Sequence, residues 1–185
     1  MHHFEAPPAP PKPIVARRVC ALAIALLTLP SIAVWIVRGA ALFLHCSPDA
    51  RACSAFPLGT AFDYSLSAAW FLGANALLCM ALAFVAALAA LWSRRPLLAA
   101  LNMLLLPIAA VLLPTFAVYS ALYPGCEANE AGVGSCILWG ASMGMNFHHA
   151  AIAQSMIYDF VPYSAALSLM ILAIGLLFFR PRRQA

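Results

Sequence analysis

The sequence predicts an all-α polytopic membrane protein with four transmembrane helices and an extra interfacial helix before the last. Three observations carry this. Long apolar runs recur along the 185 residues, at about Val19–Leu44, Ser65–Trp92, Pro96–Leu122 and Val161–Phe179. Hydrophobic residues make up 65% of the chain and charged residues only 9%, where a soluble domain carries ~25% charged residues. The few charges segregate by sign between the runs. Each run has enough residues to cross a hydrocarbon core of ~30 Å at ~1.5 Å per residue.

The elements follow in order. Residues 1–18 form a leader whose proline-rich segment, Ala6–Pro13, favours polyproline II and is expected to be disordered in the cytoplasm. Arg17 and Arg18 before Val19–Val37 have the outline of a secretory signal, but the apolar stretch is too long for a signal h-region. Leu44-His45-Cys46 lacks the small residues of a lipoprotein cleavage site, so the first run is expected to be retained. It contains Arg38, the only charge inside a run, expected to snorkel outward or to pair with Asp63 or Asp159.

Asn75 falls near the middle of the second run and Asn102 about two turns into the third. Each is expected to hydrogen-bond to a neighbouring helix, worth ~0.6–2 kcal/mol. The short turn Ser93–Arg95 makes these two runs antiparallel neighbours. Pro107 and Pro114 fall near one face of the third run and bend it. Cys136–Phe160 has helical character but carries Asn146, His148, His149, Gln154 and Asp159, which are costly in lipid. It is expected to lie at the outer interface or to re-enter, ahead of Pro162 and the last crossing. The membrane domain is then 19–179, followed by a basic tail at 180–185.

Charge sets the orientation. Lys12, Arg17, Arg18, Arg94, Arg95, Arg180, Arg182 and Arg183 belong to one side; Asp49, Asp63, Glu127, Glu130 and Asp159 belong to the other, with Arg51. The positive-inside rule places both termini and the Ser93–Arg95 turn in the cytoplasm. Arginine in place of lysine, with abundant alanine, suggests a bacterial genome of high GC content and hence a bacterial inner (plasma) membrane. The net charge of +4 is too small and scattered for nucleic acid, which is excluded as a partner.

Six cysteines divide by location. Cys20 and Cys79 fall in membrane runs, where a thiol is a small apolar filler. Cys46 and Cys53 lie in the first outer loop, and Cys126 and Cys136 in the second. An even count per loop in an oxidising compartment favours disulfides within each loop, with pairing between the loops the other connectivity. Four helices, cytoplasmic termini and a cysteine pair in each outer loop resemble the layout of the DsbB family of quinone-linked thiol oxidases; the vitamin K epoxide reductase family is similar in outline. The resemblance covers nearly the whole chain as architecture and implies a quinone-linked thiol–disulfide oxidoreductase. The sequence departs from the Cys-x-x-Cys pair of those families: the spacings here are Cys46-x6-Cys53 and Cys126-x9-Cys136. Structural disulfides are the expectation.

A second candidate site lies at Met143–His149. On one continuous helix Met145, His149 and Met156 form a narrow stripe flanked by His148. Thioether and imidazole together suit copper, Cu(I) above all, though no spacing here is diagnostic of a metal. No catalytic motif, phosphate-binding loop or internal repeat is visible. The expected function is therefore binding rather than catalysis: an accessory or assembly subunit held in the bilayer by other membrane subunits, with no cofactor. A DsbB-like oxidoreductase using quinone is the alternative, and a copper-handling membrane protein the third.

Overall fold

The computed structural model describes residues 13–50, 57–124, 126 and 136–178. Six helices and one small hairpin follow in chain order: α1 (Pro13–Phe43), α2 (Leu58–Gly73), α3 (Ala76–Trp92), α4 (Pro96–Tyr119), β1 (Ile137–Leu138), β2 (Ala141–Ser142), α5 (Met145–Ala151) and α6 (Ala153–Phe178). α1, α4 and α6 are each long and apolar enough to cross a membrane, and a fourth crossing exists if α2 and α3 together make one. α4 is the central helix and packs against α1, α2, α3 and α6.

The first helix begins earlier than the apolar run, at Pro13. Proline is favoured at a helix start, where its missing N–H would be unpaired anyway. Pro13–Arg18, expected in the leader, is therefore helical; residues 1–12 lie outside the described residues.

The second run is not one helix. It breaks after Gly73, and α2 and α3 meet at 75°. Asn75 caps α3: its side-chain oxygen accepts from the Leu78 backbone N–H at 3.1 Å. Asn75 thereby starts the next helix one residue after Ala74, the C-cap of α2. Asn75 thus serves its own chain rather than the neighbouring helix expected of it.

Each half of the bent pair joins its own core. α2 packs with Val34 and Ala41 of α1, with Val111, Ala117 and Val118 of α4, and with the segment 136–160. α3 packs through Ala83, Ala86, Ala87 and Ala90 against Cys20, Ala23 and Leu27 of α1 and Ala99, Met103 and Leu106 of α4. Small residues let these helices approach closely, as packing in lipid requires. Gly73 sits against the Ala110 carbonyl, where a Cβ would lie 2.6 Å from the oxygen. Pro114 removes that carbonyl's helical donor.

The chain ends of the bundle sort cleanly. The start of α1, the end of α3, the start of α4 and the end of α6 share one end: Cys20 lies by Asn102, and Gly175 lies against Pro96. The loop after α1, the hairpin and α5 share the other.

The segment 136–160 is not the single interfacial helix expected. Ile137–Leu138 and Ala141–Ser142 pair antiparallel, with Leu138 opposite Ala141. The two-residue turn between them has positive φ at both Trp139 (46°) and Gly140 (83°), the pattern of tight hairpin turns. Gly144 (φ 39°, ψ −122°) then redirects the chain into α5. These backbone conformations exclude helix, so only Met145–Ala151 is helical before α6. Residues 153–160 form the first turns of α6.

Candidate functional site

The loop end is tied by disulfides. Cys126 and Cys136 are bonded, with Cα atoms 4.9 Å apart, and their residues are only 1% and 4% exposed. The within-loop pairing expected for the second loop is therefore present. Cys46 is disulfide-bonded as well; Cys53, its expected partner, lies outside the described residues. Cys20 and Cys79 are free and buried.

Arg38 and Trp139 form a clasp over this end. The Arg38 guanidinium donates from Nη2 to the Ser120 carbonyl at 2.6 Å and from Nε to Ser120 Oγ at 3.2 Å. Ser120 is the C-cap of α4. A cation there satisfies a terminal carbonyl and complements the helix dipole. The partner of Arg38 is thus a helix end, and neither Asp63 nor Asp159, the acidic partners weighed beside outward snorkelling, appears among its bonds. Its guanidinium also lies 5.8 Å from the Trp139 ring centroid. Trp139 packs edge-on against Phe62 of α2 (5.3 Å), and its backbone N–H donates to the Pro48 carbonyl at 3.1 Å. A bulky residue held at positive φ is strained by ~1–3 kcal/mol, which burial of the ring at 5% exposure offsets. Asn102, by contrast, behaves as expected: Nδ2 reaches Cys20 Sγ on α1 and the Ala86 carbonyl on α3, both at 3.5 Å.

A polar grouping lies between α2 and α5. Asp63, Ser67 and Trp70 fall four and three residues apart, on one face of α2. Asn146 and His149 of α5 face them. Asn146 is buried and donates through Nδ2 to Asp63 Oδ1 at 2.6 Å, with Ser67 Oγ at 3.3 Å. One step further in, the Trp70 and His149 rings lie 5.6 Å apart and tilted by 43°. Here the polar atoms are unmatched. Trp70 Nε1, in a residue 2% exposed, and His149 Nδ1 are both buried without a hydrogen-bond partner. Burial pushes the His149 imidazole below its usual value, and neighbouring His148, with ring centroids 5.7 Å away, pushes it the same way.

The residues of the stripe read from the sequence fall on two consecutive helices. Met145 is 61% exposed, His149 is turned to Trp70, and Met156 sits beyond the Ile152 cap on α6. The single uninterrupted helix assumed for the stripe is instead α5 and α6, joined at Ile152. Among the described residues no three His, Cys, Asp or Glu side chains are placed to hold a metal ion. The role of Trp70 was invisible in the sequence because it reads as one more apolar residue in a run; its i, i+4, i+7 relation to Asp63 and Ser67 was the available signal.

Two open crevices flank the grouping. One, about 390 Å³, lies between α4 and the α5–α6 junction and is edged by Thr115, Tyr119, Gln154 and Tyr158. The other, about 580 Å³, opens at the α2–α3 break between Ala74, Met80, Asp159 and Tyr163. Neither brings a nucleophile together with a base. Comparison with protein families, curated proteins and solved structures finds no match to this chain.

Proposed function

We propose that this chain is a bacterial inner-membrane protein with both termini in the cytoplasm, acting by binding as an accessory or assembly subunit of a larger membrane complex. In this reading the bent pair α2–α3 makes one of four crossings, and α5 lies at the outer interface. The arginine distribution supports the orientation.

The observation that carries the binding role is the outward face of α6. Ser155, Tyr158, Asp159, Pro162 and Tyr163 are all exposed and fall within one arc of the helix, Tyr158 and Tyr163 at 70% each. Further along the same face come Leu169, Met170 and Leu177, an ordinary lipid-facing surface. Tyr163 lies ~22 Å and Asp159 ~28 Å along the axis from Phe178. A hydrocarbon core of ~30 Å that begins near Phe178 would reach both. Polar groups facing lipid tails are unfavourable, whereas a partner helix can satisfy them.

The deep burial of Cys126 and Cys136 weighs against the thiol-oxidase alternative, since exchange needs access to a sulfur. Site-specific photocrosslinking in native membranes tests the binding role. A probe replacing Tyr163 should give a discrete protein adduct, and one replacing Leu22 of α1 only lipid. Lipid adducts alone at both positions would refute it.

A further inference from the structure

The Asp63–Asn146–Ser67 contacts are complete, yet the adjoining pair Trp70 and His149 buries two unmatched polar atoms. An indole N–H is a donor only, whereas an imidazole nitrogen changes from acceptor to donor on protonation. We propose that His149 is a proton-controlled latch: neutral, it holds α5 docked on α2 against Trp70, and protonated, it releases α5 from the loop end of the bundle.

The geometry sets the direction. α5 is only seven residues long, joined to the hairpin at one end and through Ile152 to α6 at the other, so its seating on α2 between those two attachments depends on the side chains it buries. Phe147 and Ala150 supply apolar contact with the α2 and α4 core, and Asn146 supplies the bond to Asp63. His149 is the one ionisable group on α5 pressed against Trp70. His149 is half-buried, but its Nδ1 is enclosed against Trp70, so a proton on the docked ring is poorly hydrated on that side and gains no paired anion. The surrounding groups do not provide one. On α5 itself the neighbour is His148, of like charge when protonated. On α2 the nearest acid, Asp63, is engaged by Asn146. α4 presents Thr115 and Tyr119, and α6 presents Gln154 and Tyr158, beside Ala150 and Ala151; Asp159 lines the other crevice, by Ala74.

The sign follows. The docked imidazole titrates below its ordinary value of 6.5, so above that value both states are neutral and docking is intact. As pH falls below 6.5 the released state takes up a proton that the docked state refuses, and release is progressively favoured. His148 acts in the same direction, so removing it should lower the pH sensitivity without abolishing it.

The test is tryptophan emission of the full chain in lipid nanodiscs from pH 8 to pH 4.5, with the Trp70 contribution obtained by difference from Trp70→Phe. Release predicts a red shift of the Trp70 emission with a midpoint below pH 6.5. The shift should vanish in His149→Gln and should move to a different midpoint in His148→Gln, a variant that leaves the Trp70 contact in place. Quenching without a red shift would mean protonation in place and would overturn the latch. So would a constant spectrum, or an unchanged transition in His149→Gln.

Discussion

Gly59→Ala gives a direct test of how the hairpin is seated. A Cβ at Gly59 would lie 2.5 Å from the Leu138 carbonyl oxygen, 2.7 Å from that of Trp139 and 2.8 Å from Ala141 Cβ. The first is roughly 0.9 Å short of the 3.4 Å at which ordinary contact begins. Two of the three atoms are backbone in a hairpin held by the Trp139 ring and the Cys126–Cys136 bond, so the neighbour cannot swing aside as a side chain would. Overpacking of this kind costs ~1–3 kcal/mol. Helix propensity alone would have the opposite sign, favouring alanine by up to ~1 kcal/mol. Gly39 is the control: it is also helical, and a Cβ there meets nothing within 4 Å. Unfolding in mixed micelles, followed by far-UV circular dichroism against mole fraction of denaturing detergent, should show Gly59→Ala destabilised by ~1–2 kcal/mol. Gly39→Ala should be neutral or stabilised by up to ~1 kcal/mol. If the two variants unfold together, the close seating of the hairpin on α2 is wrong.

Three other outcomes follow from the loop end and the core. Arg38→Met should lose ~0.5–1.5 kcal/mol in the same unfolding measurement, because the Ser120 carbonyl, at an exposed helix end, loses a charged donor that water replaces in part; a stability equal to the parent would remove the clasp. Cys126→Ser should cost no more than ~2–3 kcal/mol, as expected for closing a short loop, and in the unreduced parent these two cysteines, being bonded to each other, should not be alkylated; rapid labelling would reopen the oxidoreductase alternative. Asn102→Leu should cost less than ~1 kcal/mol, since both its contacts are at 3.5 Å, and a loss above ~2 kcal/mol by the same assay would show that these contacts are stronger than their length implies.

Most of the helical framework was legible because hydropathy is a local property. Any long apolar stretch must satisfy its own backbone in lipid, and the helix does this without reference to neighbours. α4 begins at Pro96, as read from the sequence, and the Cys126–Cys136 pair followed from cysteine parity. Where local periodicity was carried too far, it failed. The run Ser65–Trp92 stays apolar through the break, so hydropathy passes over it, although Asn75 marks it as a cap. Residues 136–144 kept enough apolar character to look helical. The positive φ angles at Trp139, Gly140 and Gly144 belong to a hairpin that a disulfide and a buried indole hold in place.

The sequence by itself therefore determined which segments are apolar helices and which ends carry the basic charge. Both depend on residues within a few turns of one another. Only the tertiary structure decided the partners of the polar side chains. Arg38 meets Ser120, Asn146 meets Asp63, and Trp70 meets His149, each across about eighty residues of chain. A lone arginine or histidine in an apolar run has several possible partners on the sequence. Which one it takes depends on where the helices cross, and that is set by small-residue contacts such as Gly73 on Ala110, for which the chain carries no local pattern.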